Sequence, residues 1–255
     1  MFFEPQPTQF DLRWRMFGVD VRVHPWFWLM SALMGWSWFH RGVLYLILWI
    51  GCVFVSVLIH EFGHIFMGRV FGASGHVVLY SLGGLAVGSN QLYRHWQRIL
   101  VSLAGPAAGF LFFGLVWLCW TSFAPEHPTF NALVTYQFLK WINLAWGFVN
   151  LLPIWPLDGG QVSRDLLDWW LPRKGVRIAL TISVVTAGFL ALNALYVLLM
   201  EQSPVEYLPR IPYLDMLGGW WLALLFGSLA FNSFQALQIE LRRAPWEHDA
   251  DYWRR

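Results

Sequence analysis

His60-Glu61-Phe62-Gly63-His64 is the stretch of this sequence best equipped for chemistry. On a helix, positions four apart share a face, so the two imidazoles can present themselves to one metal ion. Two neutral imidazoles suit Zn²⁺, and Glu61, beside the first histidine, can reach a water held by that metal. A carboxylate so placed can take the proton of that water, which is the mechanical content of the HExxH pattern.

So short a pattern also arises by chance in a chain with 8 His, and its setting gives it weight. Seventeen uncharged residues, Val43 to Ile59, run straight into His60. An apolar run of that size reads as a membrane span, and ionisable groups inside a span are costly and seldom incidental.

The elements that must position this motif are apolar throughout. The chain is 57% hydrophobic, 18% aromatic and 13% charged, against about 25% charged residues in a soluble domain. The expectation is a multi-pass integral membrane protein whose first partner is the lipid bilayer. A net charge of +2 without a basic stripe gives no sign of a nucleic-acid partner. Several of the 18 Trp fall near span ends, as an interfacial belt would have them. Cys52 and Cys119 both lie in apolar runs and read as small buried hydrophobes.

Residues 1–13 are polar and Pro-rich and are expected to form a loose tail. Met1 to Gly18 has no apolar core, so the first span is expected to act as its own insertion signal. Phe17 to His24 alternates with a strand-like period of two. The predicted spans are about 25–40, 43–70, 97–122, 136–152, 176–200 and 216–239. Residues 71–92 hold too many glycines for a helix. They are predicted to form a hairpin or re-entrant loop around Gly83-Gly84, dipping toward the metal. Gly105 and Gly109 form a GxxxG pair suited to close helix packing, and Pro106 is a candidate kink. Asn150-Leu-Leu-Pro-Ile-Trp-Pro-Leu-Asp158-Gly-Gly stops the fourth helix and delivers Asp158 on irregular backbone. His24 reads as an interfacial residue. His76 is either a further ligand or an exposed loop histidine, and Asp158 could also simply cap a helix beginning near residue 160.

With the N-terminus inside and six spans, 14 of the 17 basic residues fall on the cytoplasmic side, leaving Arg41, Lys140 and Arg210 outside. Both termini are then cytoplasmic. The two histidines and Asp158 lie toward the same ends of their spans.

These residues resemble the site-2 protease family of intramembrane zinc metalloproteases, peptidase family M50. The resemblance rests on His60-Glu61-Phe62-Gly63-His64, Gly105-Pro106, and Asn150 to Gly159, in that order and in membrane context. It covers about residues 15–170; the spans about 176–240 read as accessory. It implies one zinc per chain held by His60, His64 and Asp158, with Glu61 activating water. It also implies that Asn150, and more weakly Gly83 and Gly84, hold substrate. The implied fold is an all-α polytopic membrane protein of about six transmembrane helices, with a short β-hairpin or re-entrant loop after the second.

The expected function is cleavage of transmembrane segments of other membrane proteins, in a bacterial inner membrane, by a single domain spanning residues 1–255. No PDZ or CBS domain fits the sequence. An inactive membrane scaffold would lack Glu61 or a ligand, and all are present. A metal-ion transporter would need a polar path through both leaflets, which the last two spans do not offer.

Overall fold

The computed structural model describes residues 4–81, 83–172, 174–200 and 219–242. Arg173, Arg210, Arg243, Arg254 and Arg255 of the basic-residue count, the start of the sixth expected span and the charged tail beyond Arg242 lie outside them. The chain forms two compact units, Met1–Leu92 with Leu100–Asn150, and Tyr93–Ile99 with Leu151–Arg255.

The first unit opens with strands β1 (Leu12–Met16) and β2 (Val19–Val23). Phe17 and Gly18 join them with φ of 51° and 70°. Positive φ at both turn residues matches the twist of a two-residue hairpin. Arg69 closes this turn, donating from Nη1 to the carbonyl of Phe17 at 2.9 Å and from Nη2 to that of Gly18 at 2.6 Å. The expected loose tail is therefore ordered from Glu4. Arg22 donates to Glu4 at 2.7 Å, to the Pro5 carbonyl at 2.9 Å and to Asp11 at 3.2 Å.

Helices α1 (Pro25–Met34), α2 (Trp36–Phe39) and α3 (Val43–Val70) follow, then β3 (His76–Tyr80) and β4 (Gly83–Val87). The sheet order is β1-β2-β3-β4, antiparallel except for the parallel β2–β3 pair. The sheet is thus twice the hairpin expected from the sequence. Its buried valines, among them Val19, Val21, Val23 and Val77, pack in one core with Leu58, Phe62 and Ile65 of α3. The span expected at 25–40 is broken at Gly35. The Trp49 ring lies where a Cβ at Gly35 would stand, and its Nε1 donates to the Ser31 carbonyl at 3.0 Å.

Helices α4 (His95–Phe123) and α5 (Phe130–Asn150) complete this unit, although the first turn of α4 belongs to the second unit. Helix α4 runs unbroken through Pro106. The second unit continues with α6 (Asp158–Trp170), α7 (Gly175–Met200) and α8 (Gly219–Arg242). Its core is Ile154, Ala187, Ala194, Leu222, Phe226 and Leu229. The irregular backbone before α6 is held by serines from both accessory helices. Ser183 accepts from the Trp155 N–H at 3.0 Å, and Ser233 donates to the Trp155 carbonyl at 2.8 Å. These contacts satisfy main-chain groups that an apolar surround would otherwise leave costly.

Among the described residues, four helices are long and apolar enough to cross a bilayer: α3, α4, α7 over Gly175–Leu198 and α8 over Trp221–Arg242. The expected six are not reached on length and composition. The first is split into pieces of 10 and 4 residues, and α5 carries Lys140, Asn131, Asn143 and Asn150 in 21 residues.

Candidate metal centre

The 28 residues of α3 form one unbroken helix, so His60 and His64 stand on one face. Their Nε2 atoms are 3.2 Å apart, and both residues are buried. Nδ1 of His64 lies 2.7 Å from the carbonyl oxygen of Val101 on α4. A carbonyl only accepts, so Nδ1 carries the proton and Nε2 presents its lone pair. Gly105, one turn further along α4, faces the same atoms. A Cβ there would fall on Nε2 of His64 and 2.9 Å from Nε2 of His60. Gly63 lets α4 approach this closely, since a Cβ at 63 would strike the Ala104 carbonyl.

Glu61 is buried beside the pair, and the backbone of β4 passes directly over it. A Cβ at Gly84 would lie 2.6 Å from both Cδ and Oε1 of Glu61. At Gly83 the nearest atom to a Cβ would be Cζ2 of Trp146, at 3.8 Å. The two glycines thus differ: Gly84 touches the carboxylate, and Gly83 faces α5.

Asn150 is the buried last residue of α5. In the second unit, Asp158 is the buried first residue of α6. The N-cap of α6 is Leu157, with no side-chain cap bond, so Asp158 is not the cap. It sits in the first turn, where the helix dipole favours a negative charge. Its following glycines are obligatory: a Cβ at Gly159 would strike the Leu151 carbonyl, and one at Gly160 the Ile154 carbonyl.

His24 and His76 lie elsewhere. His24 caps α1, its Nδ1 accepting from the Trp26 N–H at 3.2 Å. His76 is a strand residue rather than a loop residue, with Nε2 3.2 Å from Oε1 of Glu4. Sequence reasoning missed Asn143, whose Nδ2 donates to Ser56 Oγ at 2.9 Å and to the Leu139 carbonyl at 2.8 Å. The available signal was spacing: Ser56 is one turn before His60, and Asn143 is two turns before Asn150.

The family model for peptidase family M50 matches residues 126–192, which include Asn150 and Asp158. Stage IV sporulation protein FB of Bacillus subtilis (strain 168) is 31% identical over 198 residues, covering 75% of this chain and 63% of that protein. A putative zinc metalloprotease, sll0528, of Synechocystis sp. is 31% identical over 192 residues, covering 74% and 48%. Zinc metalloprotease MJ0392 of Methanocaldococcus jannaschii is 26% identical over 193 residues, covering 72% and 55%. The chain therefore spans about half to two thirds of the length of these curated relatives. The solved site-2 protease from Methanocaldococcus jannaschii shares its fold, with a TM-score of 0.59 at 20% identity over 89% of this chain and 95% of that one. The chain is thus similar in sequence to peptidase family M50 over residues 126–192 and to relatives named zinc metalloproteases, and it has the fold of a solved site-2 protease.

Proposed function

We propose that this protein is an intramembrane zinc metalloprotease that cleaves peptide bonds in or near transmembrane segments of other membrane proteins. The observation that carries this reading is the His60–His64 pair, with Nε2 atoms 3.2 Å apart and Glu61 on the same helix. Relatives named as zinc metalloproteases support it.

The donor set fits zinc. His64 is already in the tautomer that a metal requires, and Gly105 leaves the nitrogens clear. With Asp158 as third ligand, His60 and His64 would hold one zinc per chain and leave a fourth position open, as catalytic sites require. Zinc so bound supplies Lewis acidity, lowering the pKa of a water and polarising a peptide carbonyl. Glu61 takes the proton of the attacking water and returns it to the leaving amine. The substrate must be unwound to expose its carbonyls. Strand β4, at the edge of the sheet, offers its main chain to such an extended segment, with Gly83, Gly84 and Asn150 as the substrate contacts.

In the same proposal residues 1–255 work as one metalloprotease domain, with a core over about 15–170 and α7 and α8 as accessory spans. It crosses a bacterial inner membrane six times, counting α1–α2 and α5, with both termini cytoplasmic. The 14-to-3 division of basic residues supports this orientation. Reporter fusions at the C-terminus active only on the outer side would overturn it.

Glu61→Gln tests the chemistry. The purified variant is expected to keep one zinc per chain and to lose cleavage of a model transmembrane substrate by at least about 100-fold. Cleavage at the wild-type rate would remove Glu61 from the mechanism.

A further inference from the structure

The second unit holds a charged cluster that this chemistry does not use. Arg98, near the start of α4, donates to Oδ1 of Asp165 on α6 from Nε at 2.9 Å and from Nη2 at 2.8 Å. The Asp165 side chain is 5% exposed and that of Arg98 16%. Nη2 of Arg98 also donates to Nδ1 of His95 at 2.8 Å. His95 in turn lies parallel to the Trp169 ring, within 1°, and 3.9 Å from Oδ2 of Asp168.

These contacts define a register. Stepping back three residues on α4, from Arg98 to His95, steps forward three on α6, from Asp165 to Asp168. The two helices therefore run antiparallel here, in step. Seven residues make two helical turns, so Gly105 lies on the Arg98 face of α4, and Asp158 on the Asp165 face of α6. Each is about 10 Å further along its helix. The register is shared by the first turn of α4 and by α6, both within the second unit. Gly105 is the residue that faces Nε2 of both histidines.

We propose that the Arg98–Asp165 ion pair is a positioning clamp. It fixes the register of α6 on α4 and thereby delivers the Asp158 carboxylate to the zinc site. The clamp rests on the reading of Asp158 as third ligand. Two N–H donors converging on one oxygen fix direction as well as distance, which a lysine ammonium does not.

The test is a zinc-affinity cycle on the full chain in detergent, by competition with a chromophoric chelator, with helix content followed by circular dichroism. Arg98→Gln is expected to weaken zinc binding by about 10- to 100-fold. Asp158→Asn alone is expected to weaken it at least as much. The double variant is expected to bind within about twofold of Asp158→Asn, because the clamp acts through that carboxylate. If Arg98→Gln loses helix content, Arg98→Lys takes its place in the cycle with the same expected coupling. An equal loss in both backgrounds, or no loss in the wild-type background, overturns the clamp. Unchanged zinc affinity in Asp158→Asn overturns the ligand reading itself, and the clamp with it.

Discussion

The carbonyl oxygen of Val101 accepts the Nδ1 proton of His64 at 2.7 Å, so a main-chain atom of α4 sets the chemistry of a side chain on α3. The helix that brings this carbonyl also brings Gly105 to the histidine nitrogens, and α4 reads as the wall that shapes the site.

Gly105→Ala is therefore expected to weaken zinc binding by about 10-fold or more while leaving helix content near wild type. Gly109→Ala is the matched control, because its Cβ would meet Asn143 Oδ1 at an ordinary 3.6 Å. Metal analysis after dialysis against a mild chelator separates them. Equal zinc in the two variants would mean that the approach of α4 does not limit the site.

The neighbouring glycines of β4 are expected to behave differently. Gly84→Ala displaces the Glu61 carboxylate, and a misplacement of about 1 Å can lower a rate about 100-fold. Zinc content should stay near one per chain. Gly83→Ala, with 3.8 Å to its nearest neighbour, should cleave within a few fold of wild type. Rates measured side by side on one model substrate decide, and similar rates for the two variants would refute the contact.

Asn143→Leu removes the link from α5 to Ser56, one turn before His60. Interhelical hydrogen bonds of this kind are worth about 0.6 to 2 kcal/mol. Asn143→Leu and Ser56→Ala should each lower stability by about that much, and together by no more than the larger of the two. Denaturant titration of the detergent-solubilised protein measures it. Fully additive losses would show that the two side chains do not cooperate.

The N-terminal strap should loosen in acid. Burial works against the Asp11 carboxylate, but hydrogen bonds from the side chain and backbone of Thr8, and from Arg22 and Arg13, outweigh it and hold the pKa down at about 2. A carboxyl lowered in the folded state stabilises fully above its ordinary value of 3.8, and that contribution is lost as pH falls from there through about 2. Hydrogen exchange of the β1 amides, corrected for intrinsic rates, should accelerate over that window in wild type. Asp11→Asn should be poorly protected above it as well. Identical pH profiles for the two would separate Asp11 from the strap.

The placement of His60, Glu61 and His64 on one helix was legible in the sequence, because positions four apart share a face, whereas the role of Asp158 came from the resemblance alone. The Val101 carbonyl was not legible, since every residue has one and only the placement of α4 selects it. Gly105 was visible as a packing glycine, but its contact with imidazole depends on the tertiary approach of two helices. Strand β1 was overlooked although Leu12-Arg-Trp-Arg-Met16 alternates, because the prolines before it suggested a loose tail. The break at Gly35 leaves no charge or proline to mark it, and the Trp49 ring that packs against it lies 14 positions away in sequence.

Helix α3 is the longest part of the connection between the parallel strands β2 and β3, and it is tied at its end by Arg69 to the β1–β2 turn. At 28 residues it is about 42 Å long, more than the roughly 30 Å of a bilayer's hydrocarbon layer. His60 and His64 lie about 15 and 9 Å short of that tied end. In the reaction proposed above, the sheet would then act as a depth stop. Water would then travel only a fraction of the apolar layer, and a substrate helix would fray only at its tip. How far the substrate's own ending reaches past that level, more than which residues it carries there, would then choose the bond that meets Glu61.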